Sequence, residues 1–250
     1  MLLLIDAGNT RVKWALAPAM PGKPGEWVES GAVAREALPT LAAHWKGRHV
    51  MRVVLSNVAG EAVRKDLAAV LGHCFGPHEP PLEVFVSSAL RAGLRNGYRT
   101  PGQLGSDRFA SSIGARALFP GQALIVATCG TATTIDAISG EGVFIGGMIL
   151  PGLRLMASAL ATHTAQLPEV AQRMGSDMPF ADNTEEAIVL GCMSAQAGAI
   201  ERALARHPGA RCIISGGAAR MLAPFLAAPA ELVDNLVLIG LQVAAMEKTS

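Results

Sequence analysis

Two stretches of the chain share one design, and this duplication constrains the fold more than any other feature. The first, Met1-Leu-Leu-Leu-Ile-Asp6-Ala-Gly8-Asn9-Thr10, returns through Arg11-Val12-Lys13-Trp14-Ala15-Leu16. The second runs Gln122-Ala-Leu-Ile-Val-Ala-Thr-Cys-Gly130-Thr131-Ala-Thr133-Thr134-Ile-Asp136. In each, an unbroken apolar run of the kind expected of a strand covered on both faces meets a turn of small residues and comes back as a second strand. Turns built from Gly, Asn and Thr let backbone N–H groups and hydroxyls approach an anion closely. A Walker-type loop would lead into a helix and carry Gly-Lys-Ser/Thr, and a dinucleotide fingerprint needs three spaced glycines before a helix. Neither is present.

The first turn therefore reads as a hairpin with an acid before it and a lysine after it. Asp6 is a candidate ligand for a hydrated Mg²⁺, which takes one or two carboxylates together with water and phosphate. Gly8, Asn9 and Thr10 are candidate donors to phosphate oxygens, and Lys13 adds a point charge. The alternatives are a strand-end aspartate capping its own turn and, around Thr131, an ordinary Thr-rich hairpin.

At 250 residues, the chain is long enough for one large domain or two of ordinary size. Half of it is apolar and 16% is charged, so a large core is available and disorder is not expected. The 21 basic and 20 acidic residues nearly cancel, with no basic stripe, which argues against nucleic acid as a partner. The apolar N-terminus has no basic flank and meets Asp6 at once, unlike a signal peptide. No run of about 18 uninterrupted apolar residues is present, so no membrane span is expected. Cys74, Cys129, Cys192 and Cys212 form no C-x-x-C pair, which fits a reducing cytoplasm and argues against zinc.

After the first hairpin come a Pro/Gly turn over Pro18–Gly25, a strand to Val33, a helix over 34–45, a strand at 52–56, a helix over 61–71 and a strand at 82–86. The Gly/Pro-rich segment 96–107 reads as a loop entering a helix over 108–118. Ser106 or Asp107 is its expected N-cap, a role worth about 1 kcal/mol. The second half repeats the meander with strands at 123–127, 133–138 and 143–149. Helices follow at 153–161 and from Thr184 to Leu204, then strands at 212–215 and 232–239 and a last helix at 240–247. The repeat places a boundary at 116–121, giving domains 1–118 and 119–250.

With these motifs in hand, the chain resembles the type III pantothenate kinases of the acetate and sugar kinase/Hsp70/actin superfamily. The resemblance rests on Asp6-x-Gly8-Asn9-Thr10-x-x-Lys13, Gly105-Ser106-Asp107-Arg108, Gly130-Thr131-Ala132-Thr133-Thr134-x-Asp136 and Gly146-Gly147-x-Ile149-x-Pro151-Gly152, with Asn183-Thr184 and Gly216-Gly217. It implies an α/β fold of duplicated actin-like (ribonuclease H-like) domains with an interdomain ATP cleft. It also implies transfer of the ATP γ-phosphoryl group to the primary hydroxyl of pantothenate, the first step towards coenzyme A. By resemblance, Asp6, Ala7, Gly8, Asn9, Thr10, Arg11, Val12, Lys13 and Thr131 bind ATP, with Mg²⁺ on Asp6 through water. Asp107 is the proton acceptor, Tyr98, Gly105, Ser106, Asp107 and Arg108 contact pantothenate, and Thr184 reaches the substrate across a homodimer. Many relatives carry Asp where this chain has Thr128, a position that helps hold K⁺ or NH₄⁺. Two rival readings are another phosphotransferase or phosphatase of the superfamily and a non-catalytic ATP-binding regulator.

Overall fold

The computed structural model describes residues 1–19, 22–164, 167, 168, 170 and 180–247; residues 20 and 21 of the Pro18–Gly25 turn lie outside that set. The chain divides into two compact units, one of residues 1–120 and 235–250, the other of residues 121–234.

In the first unit, β1 (Leu2–Ala7), β2 (Arg11–Ala17) and β3 (Glu29–Ala34) form an antiparallel meander. A short helix α1 (Ala42–Trp45) leads to β4 (Arg52–Asn57), α2 (Glu61–Phe75) and β5 (Leu82–Val84). β4 pairs parallel with β1, and β5 with β4, so the sheet order is β3-β2-β1-β4-β5. A hairpin of β6 (Leu90–Arg91) and β7 (Leu94–Asn96) precedes α3 (Ser106–Leu118).

The second unit repeats this plan. β8 (Leu124–Cys129), β9 (Ala132–Ile138) and β10 (Val143–Pro151) form the meander, followed by α4 (Leu153–His163) and α5 (Thr184–Arg206). β11 (Arg211–Ser215), α6 (Ala219–Leu222) and β12 (Ala230–Leu232) complete it. Within the unit the order is β10-β9-β8-β11-β12, with β11 parallel to β8 and β12 parallel to β11. Each unit has its own core, around Leu3, Ile5, Val12, Trp14 and Leu67 in the first and Ile125, Ala127, Met193 and Ile214 in the second.

The last helix, α7 (Leu236–Met246), departs from the sequence expectation twice. The run 232–239 is not a strand: β12 stops at Leu232, Asn235 takes a left-handed turn (φ 59°), and helix begins at Leu236. Every residue from Leu236 to Gln242 is buried, and a helix buried all round has the same unbroken apolar signature as a buried strand. Nor does the helix belong with the second half. It packs along α3 in the first unit, where Gly114 and Gly240 allow backbone contact: a Cβ on Gly240 would lie 1.7 Å from the Ala110 carbonyl oxygen. Arg52 and Arg91 donate to the carbonyls of Ala245 and Ala244 at its C-terminal end, and Glu83 pairs with both arginines.

The expected helix over 34–45 is instead a 3₁₀ turn, Arg35–Leu41, running into α1. Pro39 lies inside that turn and cannot donate to an α-helical ladder.

Replacing Gly240 with alanine should force α3 and α7 apart. Chemical denaturation is expected to show a loss of about 1–3 kcal/mol, the usual cost of overpacking. A parental midpoint would contradict the backbone-contact account.

Candidate active site

The first turn sits where β1 leaves the sheet. Asp6 is half-buried at the end of β1, level with Lys13 on β2 and Ser56 on β4. The Gly8 amide donates to the Arg11 carbonyl (3.1 Å), which closes the turn and leaves Asn9 and Thr10 exposed. Arg35 donates to the Asn9 carbonyl (3.3 Å), a support that no spacing pattern in the sequence indicates. Val12 is buried as part of the core, whereas Arg11 is exposed and reaches back to the Ala32 carbonyl. Of this stretch, then, Asn9 to Arg11 are exposed and Lys13 is half-buried, while Ala7 and Val12 are buried.

Ser106 and Asp107 are the first two residues of α3 rather than its cap. Gly105 occupies the N-cap position and no side chain caps the helix, which corrects the capping expectation for both residues. The Asp107 carboxylate accepts from the Arg108 amide (2.8 Å). Gly105 is required there because a Cβ would lie 2.7 Å from Asp107 Oδ1. An acid in the first helical turn also gains from the exposed amides and the helix dipole.

Burial pushes the Asp6 carboxyl up to about 7, against the pull of the Lys13 ammonium, and the charge of Asp107 adds to the rise. Asp107 is itself raised by burial, opposed by its backbone hydrogen bond and by the Arg108 charge. For both acids burial is the main cause of the rise.

Arg108 is buried, only 7% exposed. Its guanidinium donates to the Tyr98 hydroxyl (3.0 Å) and lies 5.9 Å from the centre of that ring. Tyr98 is fixed in turn by Asn96, whose side chain accepts from the Tyr98 amide and donates to the Pro101 carbonyl. The segment 96–107, which lacks any periodicity, is thus ordered by one buried asparagine.

In the second unit, Thr131 stands exposed at the turn after β8. Two glycines wedge that turn. A Cβ on Gly152 would meet the Gly130 and Thr131 carbonyl oxygens at 2.1 and 2.5 Å, and one on Gly216 (φ 95°) would meet the Cys129 oxygen at 2.4 Å. The Gly152 amide donates to the Thr131 carbonyl (2.9 Å), and Gln196, wholly buried, bridges Thr133 and the Pro151 carbonyl. Thr184 is the exposed first residue of α5, capped by Asn183, which accepts from the Glu186 amide. Thr128 is half-buried, and its register partners on the neighbouring strands, Thr134 and Ser215, are hydroxyl residues. The Cys129 thiol is pushed up to about 12 by burial, which leaves it inert as a nucleophile.

The raised Asp6 carboxyl fixes a pH dependence. The folded chain holds this proton up to about pH 7, whereas the unfolded chain loses it near 3.8. Between those values the native state binds more protons, so this group's contribution to stability falls as pH rises. The Asp6→Asn chain, measured without nucleotide, should therefore gain in melting temperature over the parent between pH 4 and pH 8. A constant difference across that range would contradict the buried-carboxylate account.

The profile of the family described as type III pantothenate kinase matches residues 2–206. A type III pantothenate kinase of Herminiimonas arsenicoxydans is 55% identical over 254 residues, covering 98% of this chain and 98% of the relative. Among solved structures, one described as a Baf family transcriptional activator from Campylobacter jejuni superposes with a TM-score of 0.61 at 18% identity, covering 96% of this chain and 95% of that one. An inorganic polyphosphate/ATP-glucomannokinase from an Arthrobacter species superposes at 0.50 with 15% identity, covering 98% and 99%. Those two likenesses concern the fold, and with the repeated sheet order they identify duplicated actin-like units. By the extent and identity of its sequence match, the chain belongs to the type III pantothenate kinase family.

Proposed function

We propose that the protein transfers the γ-phosphoryl group of ATP to the primary hydroxyl of pantothenate, giving 4'-phosphopantothenate and ADP. Family membership supports the reaction. The observation that supports the residue assignment is geometric: Ser56, level with Asp6 in the β1–β4 register, is hydrogen-bonded to Ser106, the neighbour of Asp107, so the Asp6–Lys13 turn and the start of α3 adjoin within one unit.

In the first unit the exposed amides of Asn9 and Thr10 and the Thr10 hydroxyl hold phosphate oxygens, Gly8 shapes the turn, and Lys13 offsets their charge. In the second unit Thr131, exposed at its own turn, is a further ATP-binding residue. Asp6 fits a Mg²⁺ ion brought in with the nucleotide, because burial disfavours a lone anion there and a dication reverses that preference. Among the described residues no group of three or more His, Cys, Asp or Glu forms a metal cage, as suits an ion whose other ligands are phosphate and water. Bound in this way, Mg²⁺ would neutralise charge on the β- and γ-phosphates.

Asp107 accepts the hydroxyl proton of pantothenate as the alcohol oxygen bonds to phosphorus and the bond to the ADP oxygen breaks. Its carboxyl is raised by burial, which makes it a stronger base than an exposed aspartate. Arg108, which donates to the Tyr98 hydroxyl, positions that ring beside the acceptor alcohol. A K⁺ or NH₄⁺ ion near Thr128 would meet neutral oxygens in place of a carboxylate.

The protein works as a homodimer in which Thr184 reaches the partner's substrate. That arrangement accords with the exposed apolar side chains Ile145, Ile149, Leu155 and Leu160 of the second unit. Four free thiols accord with a reducing cytoplasm, and among the described residues no helix is long and apolar enough to cross a membrane.

A coupled ADP-release assay, run with and without pantothenate, tests the activity. Asp107→Asn should lower turnover by roughly 10²–10⁴ while leaving ATP affinity and melting temperature near parental. Parental turnover in that variant would overturn the assignment of Asp107. Thr184→Arg should raise the KM for pantothenate without unfolding the chain, and an active monomer in light scattering would contradict the shared site.

A further inference from the structure

Ser56 is the penultimate residue of β4, in a place that no motif singles out. It is wholly buried, level with Asp6 in the parallel β1–β4 register, and its Oγ lies 2.9 Å from Ser106 Oγ. Ser106 is the first residue of α3 and the neighbour of Asp107.

Three observations give this hydroxyl pair weight. No side chain caps the N-terminus of α3 from the N-cap position, so ties from outside the helix bear on where its first residue sits. A second tie, from Ser87 Oγ to the Gly105 carbonyl, is longer at 3.4 Å. And the pair connects the strand beside Asp6 to the turn bearing Asp107. A serine hydroxyl has one proton to give. When Ser56 donates to Ser106, the Ser106 proton is left for another acceptor.

We propose that Ser56 is a positioning residue for the phosphoryl transfer: its hydroxyl pins Ser106, and with it the first turn of α3, so that Asp107 keeps a fixed place relative to Asp6. The inference rests on the roles given above to Ser106 and Asp107. A buried serine that merely satisfied its own hydroxyl would affect folding and leave turnover alone.

The test compares the full-length parent with Ser56→Ala, Ser106→Ala and the double variant, reading kcat, both KM values and melting temperature, with hydrogen exchange of the α3 amides. Ser56→Cys, close in volume and a weaker donor, serves as the second variant should alanine fail to fold. Ser56→Ala should lower kcat about tenfold to a hundredfold, in keeping with small displacements of a reacting group. The KM for ATP should stay within about twofold, because the Gly8–Lys13 turn is untouched. The double variant should match Ser106→Ala alone, since Ser56 acts through that residue. Exchange at residues 106–109 should accelerate, while the β1–β2 pairing stays protected. Parental kcat, fully additive losses in the double variant, or unchanged exchange at 106–109 would each overturn the proposal. A parent that releases no ADP with pantothenate would instead remove the functional reading, and the exchange result would still decide whether Ser56 anchors α3.

Discussion

Everything chemical in this protein depends on where the central strand of each sheet ends. β1 lies between an antiparallel neighbour, β2, and a parallel one, β4, so chain connections change character at that strand. β8 lies between β9 and β11 in the same way. In open α/β sheets such a change leaves a crevice at the carboxyl ends of the strands, where backbone amides and strand-end side chains are free to meet a ligand. Asp6 and Ser56 are the penultimate residues of one such pair of strands, and Cys129 and Ser215 end the other. The duplicated topology thus yields two strand-end turns of small residues from one structural rule.

The turns differ in what they add to that rule. In the first unit the addition is charge, with two carboxylates, a lysine and a buried arginine within one unit. Burial raises both acids, which means that the fold disfavours their charged forms relative to water. In the second unit the addition is shape. Gly152 and Gly216 let three backbone segments crowd at Gly130–Thr131, and any side chain at either glycine would collide with a carbonyl oxygen. Phosphoryl transfer, dominated by positioning and charge neutralisation, needs both contributions.

The meanders, the parallel additions and the two turns were legible in the sequence because strand covered on both faces writes itself as an apolar run ended by Gly, Thr or Asp. Less was legible where packing overrode pattern. The stretch Leu236–Gln242 is helix because Asn235 turns the chain and Gly240 lets it lie against α3, neither of which is visible in apolar periodicity. Pro39 broke a helix that spacing alone would continue. Ser56 carries no local signal, because its partners, Asp6 in the register and Ser106 by hydrogen bond, are distant in the chain. Spacing makes Asp107 a helix cap, but α3 starts at Ser106 with Gly105 at the N-cap position, a one-residue shift that local sequence does not encode.

The account's central claim is that these turns and acids serve one transfer, from a nucleoside triphosphate to an alcohol. Phosphorus-31 NMR of the protein with Mg²⁺, ATP and pantothenate tests it most directly. The account predicts a new phosphomonoester resonance, split into a triplet by the adjacent methylene protons, growing in step with ADP and absent when pantothenate is omitted. Inorganic phosphate as the sole partner of ADP, or ATP left intact, would contradict it.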